Sequence, residues 1–284
     1  MIGATELLLL LLVAFFAGIA GAFLGVGGGI IIVPFITLGL GIDQKVATAV
    51  SIVGVIATSS AAASVYVRDR MTNLRLGMFL EMATTTGAIL GALLAIFASS
   101  AILAFLFAIA VLYAAYSMVR RRETSDAPPA ASTDGNRLGA RLRLQDAYQD
   151  REGRAQPYGV ERPGAGLAIS AVAGTASGML GVGGGFIKVP IMNLVMKVPL
   201  RAAVATSNFM IGVTAAASAF VYYFGGYLDP SMAAVVVLGV SGGTVFGTRL
   251  MRRAPTTHIR IAFAGFLIAV GILMGLRAFG LRVI

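Results

Sequence analysis

The 284-residue chain contains no cysteine, so disulfides, thiolate metal sites and cysteine nucleophiles are excluded. Its single histidine, His258, rules out a His-cluster metal site. Charge is also scarce. Only 12% of residues are Asp, Glu, Lys or Arg, where a soluble domain carries about 25%. Apolar residues make up 58% of the chain, and the mean hydropathy is +0.89. This is the composition of a membrane protein. No Lys or Arg precedes the first apolar run and no small-residue cleavage site follows it, so that run is expected to stay as a membrane segment. The net charge of +10 lies in short loops between apolar segments, which fits orientation in a bilayer rather than nucleic-acid binding. Nothing in the composition calls for a cofactor or a metal.

What the chain does have is a glycine block that occurs twice. Leu24-Gly25-Val26-Gly27-Gly28-Gly29, closed by Val33-Pro34, reappears as Leu180-Gly181-Val182-Gly183-Gly184-Gly185, closed by Val189-Pro190. The offset is 156 residues, and Gly18–Val67 aligned with Gly174–Tyr223 gives 20 identities in 50 positions without a gap. The same offset pairs Gly87 with Gly243, Gly91 with Gly247 and Phe107 with Phe263, so the repeat runs over Gly18–Met118 and Gly174–Met274. A duplicated half fixes the architecture before any single motif does.

Each half has the same order of segments. Leu7–Leu24, Val46–Val67, Leu76–Ala98 and Ala101–Val119 approach or exceed the ~20 residues of a spanning helix. The second half repeats them as Gly166–Leu180, Ala202–Phe224, Ser231–Gly247 and Ile259–Leu276. Ile30–Leu40 and Phe186–Met196 are 11 residues long, about 16 Å as helix and half of the hydrocarbon core. Each is therefore a half-membrane helix returning from its glycine break. The fold expected is all-α and membrane-embedded, with 8–10 membrane segments and, in each half, one re-entrant hairpin plus three spanning helices. The domains are residues 1–119, a charged cytoplasmic linker over residues 120–163, and residues 164–284. The linker reads as solvent-exposed, with a partly helical stretch around Leu138–Tyr148.

Loop charge reverses between the halves. Arg68, Arg70 and Arg75 follow the third segment of half one, where half two has only Asp229. The next loop of half one, at Ser99-Ser100, is uncharged, while its counterpart holds Arg249, Arg252, Arg253 and Arg260. Basic loops stay inside, so the two halves are expected to be pseudo-symmetric and inverted. Arg277 and Arg282 run against that pattern.

Helix-breaking glycine at membrane depth is tolerated where freed backbone groups meet protein or a water-filled cavity. Matched breaks in two halves point to a transporter's substrate site. A glycine run before a helix start lets amide N–H groups converge, and the helix dipole favours negative charge there. Gly27, Gly28, Gly29, Gly183, Gly184 and Gly185 are thus candidate ligands of a small oxyanion, with Gly25, Pro34, Gly181 and Pro190 shaping the breaks. The competing reading is close helix packing, which suits Gly18, Gly21 and Gly25, and likewise Gly174, Gly178 and Gly181. A dinucleotide fingerprint is rejected, because the flanks are membrane-length and no soluble βαβ unit surrounds the block.

The paired G-x-G-G-G…P segments, each followed by Ala-Thr-Ser-like residues, resemble the sulfite exporter TauE/SafE family of membrane permeases. The carriers are Gly25–Pro34 with Val46–Ser51, and Gly181–Pro190 with Ala203–Asn208. The resemblance implies movement of sulfite, organosulfonates or similar sulfur-containing anions across a bacterial inner membrane. Partners are then a small anionic substrate and the lipid bilayer, with no nucleic acid and a homo-oligomer left open. Ser51, Ser207, Thr206 and Asn208, one or two turns into the helices beside the breaks, are candidate donors to the substrate. Interhelical or i−4 bonding is their alternative, and it is favoured for Thr58 and Thr214. Tyr66 and Tyr222 read as interface-belt residues. Lys188, at the position of Ile32 in half one, is a candidate counter-charge. Glu81 is a candidate proton-coupling carboxylate. A passive anion channel and a carrier of a different small anion stay open as alternatives. No nucleophile–base set or pair of intramembrane carboxylates supports an enzyme.

Overall fold

A computed structural model describes residues 3–25, 27–120, 139, 141–149, 154–253 and 256–280. Helix α1, Ala4–Leu24, stops at Gly25, whose φ of +71° lets its N–H cap Gly21 O. After the glycines comes α2, Gly29–Pro34, which widens into a π-helical stretch over Phe35–Gly39. The chain then turns into α3, Gln44–Arg68, whose first turn is capped by the Asp43 carboxylate accepting from Lys45 N at 2.8 Å. Helices α4, Leu74–Phe97, and α5, Ser100–Arg120, complete the first half. The second half repeats this order as α6, Pro163–Leu180; α7, Gly185–Pro190, with its π-helical stretch Ile191–Val195; α8, Leu200–Phe224; α9, Pro230–Arg253; and α10, Thr256–Ala278. Seven described helices, α1, α3 to α6, α8 and α9, are long and apolar enough to cross a bilayer. Gly29–Gly39 and Gly185–Val195 are the short apolar helices expected after each break. Leu8, Phe16, Phe97, Phe224 and Leu238 are more than half exposed, as the outer face of a membrane bundle requires.

Packing crosses between the halves. Helix α1 lies along α9, while α6 lies along α4; α3 packs on α8, and α5 on α10. Glycines set the two closest crossings: a Cβ on Gly18 or Gly243 would strike the backbone of Val240 or Phe15, and one on Gly174 or Gly178 that of Thr84 or Ala88. Along α1 the contacts move from Leu11 to Phe15 to Ile19 as those on α9 move from Gly239 to Gly243 to Gly247, so the two helices run in one direction. Helices α4 and α6 do the same, with Gly87 against Ala171 and Gly91 against Thr175. The packing reading of Gly18, Gly174 and Gly178 is therefore correct.

Three details depart from the sequence reading. Tyr66 and Tyr222 are not belt residues: both are buried, and their hydroxyls donate to Ala22 O (3.0 Å) and Gly178 O (3.1 Å), positions related by the 156-residue offset. Arg277 is not a loop charge. Its guanidinium caps the end of the first re-entrant hairpin, donating to Thr37 O and, at 3.4 Å, to Ile42 O, which explains its poor fit to the loop pattern. The third departure is in the linker. Of the Leu138–Tyr148 stretch expected to be partly helical, Gly139 and Arg141 are helical, whereas Asp146–Gln149 (β1) pairs antiparallel with Ala155–Tyr158 (β2); Leu138 and Ala140 lie outside the described residues.

This hairpin is docked rather than free. Leu144, Tyr148, Tyr158 and Val160 are buried against Leu76, Leu80, Met192 and Met196. Asn73, at the start of α4, donates from Nδ2 to Leu144 O at 2.8 Å, and Glu161 N donates to Met196 O at 3.0 Å. Burial raises the pKa of the Tyr158 hydroxyl, against the lowering effect of its hydrogen bond with Asn73. Four apolar residues scattered among charges are too sparse to show as a periodic signal.

Gly174→Val is expected to force the α4–α6 crossing apart and to destabilise the protein by at least about 1–3 kcal/mol. Gly265→Ala, with no atom within 4 Å of the added carbon, is expected to leave it unchanged. Unfolding temperature in detergent is the measurement.

Candidate functional site

The two glycine breaks meet. A Cβ on Gly29 would strike Gly181 O and stand 2.7 Å from Ser51 Oγ, and one on Gly185 would strike Gly25 O. Between them Ser51 Oγ donates to Gly181 O at 2.8 Å. Gly25, Gly27–Gly29, Gly181 and Gly183–Gly185 are all buried. Geometry accounts for every glycine of the block. Gly27 (φ +87°), Gly28 (+77°), Gly183 (+80°) and Gly184 (+69°) need the left-handed region, while Gly29 and Gly185 need the missing side chain. Pro34 and Pro190 each close a six-residue helix, and the chain continues beyond with π-type bonds, Leu40 N to Phe35 O and Met196 N to Ile191 O.

Ligand capacity must therefore be sought in the groups beside the breaks. Among the described residues, the amides of Gly27–Gly29 and of Gly183–Gly185 have no acceptor. Thr48 Oγ1, Ser207 Oγ and Asn208 Oδ1 are fully buried and also have no partner. Thr48 stands against Gly181, and Asn208 Nδ2 lies 3.6 Å from the place of a Gly25 Cβ. An unpaired buried polar group costs about 1–3 kcal/mol, so three of them are an expensive arrangement for packing alone.

Not every candidate gathers here. Thr206 Oγ1 accepts from Asn73 N at 3.0 Å and so faces the start of α4. Asn208 lies beside the first break, its Nδ2 donating to Val204 O at 3.1 Å, while Ser207 Oγ is buried without a partner. Thr48 was missed as a site residue: it aligns with Val204 in the repeat, so no symmetry argument singled it out.

Lys188 and Glu81 form a second polar group one turn beyond the second break. Lys188 Nζ donates to Thr214 Oγ1 (2.7 Å), and Thr214 Oγ1 donates to Glu81 Oε1 (2.6 Å). Thr85 Oγ1 also donates to Glu81 Oε1 at 2.9 Å, and the direct Lys188 Nζ to Glu81 Oε2 distance is 3.9 Å. Both charged residues are buried. At the positions related by the 156-residue offset stand Ile32 and Thr58 in the first half and Val237 in the second, and Thr58 Oγ1 donates only to Gly54 O. The charge pair therefore joins the halves, Glu81 from the first and Lys188 from the second, and has no counterpart at the offset-related positions.

A crossing of two broken helices with free donors, inside a bundle of apolar spans, agrees with what sequence comparison finds. The model of the sulfite exporter TauE/SafE family matches residues 10–274. The chain belongs to that family. It is a multi-pass membrane transporter of the TauE/SafE family. Similar proteins include the probable membrane transporter protein YunE of Bacillus subtilis, 25% identical over 93% of this chain and 95% of its own. A probable membrane transporter protein of Methanocaldococcus jannaschii is 23% identical over 94% of both chains. The probable membrane transporter protein MamO of Paramagnetospirillum magneticum is 29% identical over 45% of this chain and 22% of its own. No solved structure matches the chain.

Ser51 and Ser207 separate packing from binding. Ser51→Ala loses an interhelical hydrogen bond and is expected to lower stability by about 1 kcal/mol. Ser207→Ala removes an unpartnered hydroxyl and is expected to leave stability unchanged or raised. Paired unfolding curves are the check.

Proposed function

We propose that this transporter moves a small sulfur-containing oxyanion, such as sulfite or an organosulfonate, held between the two glycine breaks. The observation carrying the reading is the set of buried, unpartnered donors: the glycine amides at the crossing, Thr48 Oγ1 beside it, and Ser207 Oγ. Hydroxyls and amide N–H groups donate to a tetrahedral or pyramidal oxyanion without adding a fixed charge. The two short helices direct their positive ends at the crossing. The name of the family, sulfite exporter, supports the sulfur chemistry.

Alternating access follows from two inverted halves. The supporting geometry is that α1 runs with α9 and α6 runs with α4. Within a half, the return through the hairpin and α3 leaves α4 opposed to α1, so α6 is opposed to α1 as well. Exchange between two mirror-related tilts then opens the crossing to either side in turn. The basic loops at Arg68–Arg75 and Arg249–Arg260, together with linker residues 120–163, put one face in the cytoplasm of a bacterial inner membrane.

Lys188 and Glu81 are the coupling element of this reading. An anion arriving beside the second break competes with Glu81 for the Lys188 ammonium. A proton on Glu81 releases that ammonium and keeps the buried charge balanced, so anion and proton move together. Thr214, bonded to both, is the switching hydroxyl.

Proteoliposomes loaded with labelled sulfite, sulfate, thiosulfate and sulfonates provide the test. Saturable flux of a sulfur oxyanion driven by a proton gradient is expected; non-saturable flux indifferent to the gradient would instead make this a passive anion channel. Gly28→Leu and Gly184→Leu are expected to abolish flux at unchanged expression, and retained flux would move the site elsewhere. Glu81→Gln is expected to transport without gradient dependence, and full retention of that dependence would remove Glu81 from the mechanism.

A further inference from the structure

Near one end of the bundle, between the last turns of α3 and the matching stretch of α9, lies a cavity of about 280 Å³. This volume is close to the lower bound of small-ligand pockets, about 300 Å³. Its polar lining is Ser64 and Arg68 from α3 and Thr244, Thr248 and Arg249 from α9. Among the described residues, neither guanidinium has a hydrogen-bond or ion-pair partner; the lining contains no acidic residue. Thr244 is 1% exposed, and its hydroxyl is without a partner. Thr248 donates to Thr244 O at 3.0 Å and Ser64 to Ala61 O at 2.8 Å, so both keep lone pairs but spend their protons on the backbone.

The duplicated half is a built-in control for what packing at this place requires. At the 156-residue offset, Ser64 becomes Phe220 and Arg68 becomes Phe224. Thr244 becomes Ala88, Thr248 becomes Ala92 and Arg249 becomes Leu93. The equivalent surface between α8 and α4 is thus wholly apolar at these positions. Two cations and three hydroxyls were introduced on one copy alone, where the scaffold is satisfied by Phe, Leu and Ala.

The surroundings indicate what the cations receive. Val245 (46% exposed) lines the cavity, and Val67 (39%) and Phe246 (58%), the sequence neighbours of Arg68 and Val245, are exposed on the outer surface of the bundle. A soluble anion would have to pass these groups, whereas a lipid would lay its acyl chains on them. The charged ends of α3 and α9 lie on the face that loop charge assigns to the cytoplasm. We infer that this cleft binds the phosphate of an anionic phospholipid in the cytoplasmic leaflet. Arg68 and Arg249 clamp the phosphate oxygens, and the Thr244 hydroxyl donates from below.

The full-length protein in detergent is titrated with phosphatidylglycerol, phosphatidylcholine or inorganic phosphate, and the unfolding temperature is followed. Phosphatidylglycerol is expected to raise it in a saturable way, with phosphatidylcholine and inorganic phosphate ineffective. The double substitution R68Q/R249Q is expected to weaken phosphatidylglycerol binding about tenfold per arginine. Thr244→Val, which leaves the fold intact because its hydroxyl bonds to nothing, is expected to weaken it by a smaller factor. Equal shifts with both lipids, or a phosphatidylglycerol response unchanged in R68Q/R249Q and Thr244→Val, would overturn the assignment. So would a shift reproduced by inorganic phosphate alone, which would identify a site for a free oxyanion.

Discussion

Backbone-to-backbone approach of the two glycine breaks is the constraint on which this structure turns. With Gly29 against Gly181 O and Gly185 against Gly25 O, no side chain larger than hydrogen fits between the two re-entrant hairpins. Removing those side chains also removes the means of filling the crossing, so its polar groups must satisfy one another or wait for a ligand. Ser51 takes the first course by bonding Gly181 O, while Ser207, its equivalent at the 156-residue offset, is buried without a partner. A duplicated sequence has therefore produced an asymmetric centre.

The same asymmetry recurs away from the centre. Where one contact between the halves brings Lys188 to Glu81, the offset-related positions are Ile32 and Val237. Where one lateral surface is Phe224 and Leu93, the other is Arg68 and Arg249. A repeat shows which residues the scaffold needs; the differences between its copies show what has been added. Burying a charge in a bundle otherwise poor in charge is costly unless it is paired, and the Lys188–Thr214–Glu81 contacts supply that pairing.

Much of the fold was legible because membrane proteins write their architecture in run length and glycine position. Breaks after Leu24 and Leu180, half-length helices behind them and reversed loop charge were all readable from the chain. Side-chain partnerships were not. Lys188 and Glu81 are 107 positions apart and meet only because α4 and α8 pack side by side; no periodicity records that. Thr206 and Ser207 are neighbours in sequence, yet helical geometry turns one to Asn73 and leaves the other buried without a partner. The docked hairpin escaped notice because its buried residues, Leu144, Tyr148, Tyr158 and Val160, are embedded among charges.

The exchange of partners between halves has a consequence for biosynthesis. Helix α1 is made first, but its packing partner α9 begins only at Pro230, roughly 200 residues later. At 5–20 residues per second the ribosome needs about 10–40 s to deliver it. Throughout that interval the Gly18 face of α1, which packs on Val240 of α9, has only lipid or the insertion machinery as its neighbour. A nascent first half cannot reach its final packing alone, and chains truncated before α9 are left as substrates for quality-control proteolysis.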